Sequence, residues 1–178
     1  KVNIKTPKAG GPYHLEITDG EKVRLENVMI GEVWLCSGQS NMQMPVEGWG
    51  KVKNYQQEVA QANYPDIRLM TVSNTISLSP SQEFTAVGGG WQVCSSVTIR
   101  EFSATAYFFG REIARTQQVP VGLICAHWGG TNIEPWISAQ ALGEVPDFVE
   151  QLKLIRRLGN KDCDLQAEEE QRQAKILS

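Results

Sequence analysis

The stretch Gly31-Glu-Val-Trp-Leu-Cys-Ser-Gly-Gln-Ser-Asn-Met-Gln-Met-Pro45 constrains the chain more than any other. A short apolar run, Val33–Cys36, gives way to small and polar residues, Ser37–Asn41. An apolar run bounded in this way reads as a buried strand. Its last side chains then reach the carboxyl edge of a sheet, where open α/β folds bind their ligands. Gly38 permits a sharp turn with positive φ, which sets Ser40 at its tip. Spacing alone leaves two readings: a hydroxyl offered for nucleophilic attack, or a polar turn in which the serine caps a helix.

A second run of the same kind, Pro120–Ala126, ends in His127-Trp-Gly-Gly-Thr-Asn-Ile-Glu-Pro-Trp136. Between the two runs the pattern alternates. Val52, Tyr55, Val59 and Ala62 share one helical face within Lys51–Ala62. Pro65 ends that helix, and Ile67–Val72 reads as a strand. Phe102–Arg115 is the strongest helix, with Phe102, Ala106, Phe109 and Ile113 in one stripe. Gly110 inside it marks a close approach to another element. Strand, loop, helix and strand in this order predict an α/β fold with a parallel sheet.

The flanks differ. Tyr13–Ile17 and Val23–Leu25 alternate about Thr18-Asp-Gly20, a β-hairpin pattern in which His14 faces solvent. A hairpin alone is marginal in water, so it must pack on the main α/β domain; the boundary falls near Asn27–Gly31. Residues 73–100 are rich in Ser, Thr and Gly and read as irregular, either a solvated connection or a substrate cover. Val145–Leu158 is amphipathic, with Phe148, Leu152 and Ile155 aligned, and 162–177 reads as a charged surface helix.

Composition excludes some functions. The net charge of -3 gives no basic footprint for nucleic acid. No apolar run approaches the ~18 residues of a membrane span. Lys1–Lys5 is no signal peptide and reads as the middle of a strand, so the chain is expected to begin inside a larger protein. Cys36, Cys94, Cys125 and Cys163 lack metal-type spacing. Cys36 and Cys125 each end an apolar run and read as buried thiols; a bridge between them stays open if the protein is exported.

Gly38-Gln39-Ser40-Asn41-Met42 resembles the first block of the SGNH hydrolases, and Gly31–Met44 as a whole resembles their sialate O-acetylesterase branch. Gly130-Thr131-Asn132 is similar to the Gly-x-Asn of a later block, although Ile133 stands where an Asp is usual. Gly129–Trp136 fits the Gly-Gly-Thr-x-Ile-x-x-Trp of the esterase branch throughout. The resemblance implies an SGNH-like (flavodoxin-like) three-layer α/β/α fold, incomplete at its carboxyl end. It divides the chain into residues 1–30, the end of an upstream β-domain, and 31–178, the amino-terminal part of the hydrolase domain.

It further implies that Ser40 is the nucleophile, that Ser40, Gly130 and Asn132 form the oxyanion hole, and that Gln39, Asn41, Gly129 and Thr131 support the loops. The substrate implied is acetylated sialic acid, with acetylxylan or another acetylated glycan as the alternative. Neither metal nor cofactor is implied, and the family's compartments are periplasmic, extracellular or lysosomal. A serine nucleophile needs a base. The resemblance places the catalytic His and acid outside these 178 residues, because His14 and His127 match no such block. On its own the chain is therefore also readable as a non-catalytic glycan-binding module.

Overall fold

The computed structural model describes residues 3–50 and 52–159. The chain divides into two compact units, residues 1–74 with 84–130, and residues 75–83 with 131–178.

The first unit opens with a hairpin, β1 (Gly10–Asp19) and β2 (Glu21–Ile30), paired antiparallel. The turn falls at Gly20, inside the Thr18–Gly20 turn that the sequence indicates, and His14 is exposed. Next comes β3 (Glu32–Gly38), followed by a single helical turn, α1 (Ser40–Gln43). The helix α2 (Tyr55–Gln61) is shorter than the apolar periodicity suggests, because Asn54 before it takes a left-handed φ of 57° and resets the chain. Then come β4 (Asn63–Thr71), a short β5 (Gln92–Ser95), the long α3 (Ala104–Gln117) and β6 (Val121–His127).

The four later strands form one sheet in the order β3-β6-β4-β5. β3 and β4 both run parallel to the central β6. β5 is antiparallel to β4, a departure from the all-parallel expectation. It lies within the stretch that reads as irregular, and four residues are too few to show a period. The fold is thus mixed α/β with parallel strands at its centre.

One face of the sheet carries the core. Val121, Leu123, Cys125 and His127 alternate inward along β6, and α3 packs over them. A Cβ on Gly110 would lie 2.6 Å from Leu123 Cδ1, so only glycine allows this helix so close to the sheet. Tyr107, on the inner face of α3, is fully buried. Arg111 Nη1 donates to the Tyr107 hydroxyl (3.4 Å) and to Glu58 of α2 (2.5 Å), tying the two helices together. Burial pushes the Tyr107 hydroxyl pKa up, and burial lifts the Cys94 thiol to about 12.

The second unit holds a 3-10 turn at Glu134–Trp136, the short α4 (Ala139–Leu142) capped by the Ser138 hydroxyl, and α5 (Val149–Leu158). Leu152 is buried while Phe148 and Ile155 are half-buried, the face that the amphipathic spacing indicates. The charged helix read over 162–177, and Cys163 within it, lie outside the described residues.

Candidate active site

The site grows from the register of two strands. β3 and β6 run parallel with Gly38 opposite His127, so both chains leave the sheet at the same edge and level. The Trp128 amide donates to the Gly38 carbonyl at 3.1 Å, extending the pairing one residue further. Gly38 has φ 153° and turns β3 into α1; a Cβ there would press on Met42 Cβ at 3.2 Å.

Ser40 is therefore the first residue of a helical turn at the carboxyl end of a strand. The amides of Met42 and Gln43 both donate to the Gln39 carbonyl at 2.9 Å, closing that turn. The Ser40 amide, at the helix start, has no intrahelical acceptor. Ser40 is half-buried, while Gln39 and Asn41 are exposed. Thr105 at the start of α3 donates its hydroxyl to the Asn41 carbonyl at 2.8 Å, which fixes the turn against the helix.

The second loop meets the first at Gly129. A Cβ built there would sit 3.0 Å from Ser40 Oγ and 2.7 Å from Gln43 Oε1. The Gly129 amide donates to Gln43 Oε1 at 2.6 Å. Gln43 is a site residue that sequence reasoning missed. The available signal was its position on the turn that begins at Ser40. Because Gln43 takes the Gly129 N–H, Gly129 holds the loop rather than facing outward. Gly130 comes next with φ 79° and is exposed.

Thr131 and Asn132 belong to the second unit. There the Thr131 hydroxyl accepts from the Trp136 indole at 2.9 Å, and Asn132 is exposed.

His127 lies on the sheet face that α3 covers, in line with Leu123 and Cys125. Both of its ring nitrogens are buried without a partner, and burial holds its pKa below the ordinary 6.5. Among the described residues no three His, Cys, Asp or Glu side chains gather as a metal site, and no helix is long and apolar enough to cross a membrane.

Ser40 thus stands at a strand end against a glycine loop, on adjacent parallel strands of a mixed α/β fold. Known proteins narrow the class. The family model described as "Carbohydrate esterase, sialic acid-specific acetylesterase" matches residues 30–162, and the chain belongs to that family. It is 37% identical to a sialate O-acetylesterase of Pongo abelii and 36% identical to that of Homo sapiens, over 79% of this chain and 28% of each relative. A crystal structure of a carbohydrate acetylesterase from Xanthomonas citri superposes with a TM-score of 0.70 at 36% identity, over 77% of this chain and 31% of that one. The chain thus spans less than a third of the length of these relatives.

Proposed function

We propose that this chain carries the nucleophile of a carbohydrate O-acetylesterase, with acetylated sialic acid as substrate. The observation that carries the reading is Ser40 Oγ set against Gly129 where two adjacent parallel strands end. The relatives' names, sialate O-acetylesterase, supply the substrate class. Ser40 Oγ attacks the acetyl carbonyl. The Ser40 and Gly130 amides, both within the first unit, stabilise the oxyanion. The sugar leaves as an alcohol, and water hydrolyses the acetyl-enzyme. Exposed Trp49 offers a ring face on which a sugar can stack.

The general base is a histidine supplied by neither His14 nor His127. His14 is exposed on β1, and His127 is buried on the α3 face with nothing to orient its ring. In this reading 31–178 is the amino-terminal part of a three-layer SGNH-like domain, and 1–30 closes an upstream β-domain. The unpartnered His127 also favours a second reading for the chain by itself, a glycan-binding module without turnover.

The test is deacetylation of an O-acetylated sialic acid by the longest natural form of the protein. Ser40→Ala should remove several orders of magnitude of rate, the usual cost of losing a nucleophile. The 178 residues alone should be nearly inert, with or without His127→Ala. Full turnover by the Ser40→Ala variant overturns the assignment. An active short chain that His127→Ala silences makes His127 the base instead.

A further inference from the structure

Two thiols stand side by side under the serine loop. Cys36 on β3 and Cys125 on β6 are direct register partners on neighbouring parallel strands. Both point into the face that α3 covers; Cys36 is 7% exposed and Cys125 fully buried. Partners in adjacent strands lie about 4.8 Å apart, inside the ~4.4–6.8 Å Cα window of a disulfide. In-register parallel side chains also leave the sheet in the same direction, so the two sulfurs face one another, and closing the bridge draws the two Cβ atoms into the ~3.5–4.5 Å span of a disulfide. Cys94 is excluded as a competitor by topology: it lies on β5, and β4 stands between β5 and β6.

We propose that Cys36 and Cys125 form a redox-responsive dithiol that closes to an intramolecular disulfide and so couples the oxidation state to the spacing of the Ser40 and Gly129 loops. Ser40 follows Cys36, and Gly129 follows Cys125, by the same four residues. Drawing the two Cβ atoms together at the strand ends therefore acts on both loops at equal reach. The two loops are joined directly by the 2.6 Å bond from the Gly129 amide to Gln43.

The oxidant is a peroxide, small enough to reach a thiol that keeps only 7% of its surface exposed. Cys36 is the attacking thiol: it is the less buried of the two, and the Cys125 thiol hydrogen-bonded to it holds its pKa below the ordinary range. That same contact, with burial, pushes Cys125 up. The Cys36 thiolate attacks one peroxide oxygen and breaks the O–O bond, giving a sulfenic acid and hydroxide, and the proton given up by the Cys36 thiol turns that hydroxide into water. The Cys125 sulfur then attacks the Cys36 sulfur. The S–O bond breaks, the Cys125 proton leaves with the oxygen, and a second water departs. Two thiols and one peroxide become one disulfide and two waters.

The experiment treats the folded chain with hydrogen peroxide and reads intact mass, then maps peptides without reduction. The expected result is loss of two hydrogens, a linked pair of peptides containing Cys36 and Cys125, and full reversal by dithiothreitol. Amide exchange at Gly129 should rise in the oxidised form and recover on reduction. Cys36→Ser should abolish the linkage, and Cys125→Ala provides a second variant should the first misfold. Cys94→Ala should leave the linkage intact. Added oxygen on Cys36 with no bridge, a bridge to Cys94 or Cys163, or unchanged exchange at Gly129 would overturn the proposal. None of these readouts needs turnover, so it stands or falls apart from the esterase reading.

Discussion

At the residue scale, His127 shows how far a local pattern can be read. The apolar run Pro120–Ala126 and the break after it put a histidine at a strand end, and it is there. What such a run alone does not state is what lies above each face. The α3 helix covers the face His127 shares with Cys125, so its ring is desolvated and both nitrogens go without partners. Such a group favours the neutral form when folded. The unfolded chain then binds a proton that the folded chain refuses. Stability is unaffected above the ordinary pKa of 6.5 and falls as the pH drops through and below it. One such proton contributes at most about 1.4 kcal/mol per pH unit. Thermal melts of the wild type should therefore fall faster below pH 6.5 than those of His127→Leu, which fills the site without titrating. Parallel curves for the two proteins would show that the ring stays solvated. Gln43 marks the opposite limit. Its side chain bridges to a glycine amide 86 positions away, and no local period encodes a partner so distant.

At the scale of elements, legibility tracked length and period. The fourteen-residue α3 was readable as a helix, as was the close approach at Gly110, but its buried face is Ala104, Ala106, Tyr107 and Gly110, and Phe109 of the expected stripe is exposed. β5 has four residues and no visible alternation, and its pairing is set by β4 rather than by its own sequence. The cap of α3 lies between these cases. Ser103 is fully buried, and its hydroxyl accepts from the Ala106 amide at 3.1 Å while touching Met42 Sδ at 3.5 Å. It thus closes the helix start and meets the serine turn α1. Ser103→Ala removes the cap and should cost about 1 kcal/mol, the usual value for such a loss. The midpoint of urea unfolding should drop with an unchanged slope. A variant as stable as the wild type would mean that the Ala106 amide finds another acceptor. Ser103→Thr keeps the oxygen, so recovery there would separate the lost bond from the lost volume.

At the scale of the whole first unit, the two faces of the sheet are unequal. α3 and the core cluster cover one. By register, Val33, Gly122, Arg68 and Val93 form a row across the other, with Leu35 and Ile124 in the next row. Trp91 leans on Gly122, the ring 3.1 Å from where a Cβ would be. Val33 is 61% exposed and Leu35 69% exposed, so neighbouring apolar side chains of β3 face solvent together. Single exposed hydrophobes are ordinary, whereas contiguous ones form a patch that binds apolar molecules. The sequence pointed the other way: Val33–Cys36 is an unbroken apolar run with the composition of a strand meant for burial on both faces, yet Cys36 alone of the four is buried in β3. An anilinonaphthalene sulfonate dye should therefore fluoresce strongly on the native chain, before any unfolding. Leu35→Lys places a charge in the patch and should lower that signal sharply. Because Leu35 is already exposed, its replacement should alter stability by no more than about 0.5 kcal/mol. Dye binding unchanged in Leu35→Lys would locate the apolar surface elsewhere. Dye binding that falls together with the melting temperature would mean that the leucine packs in solution.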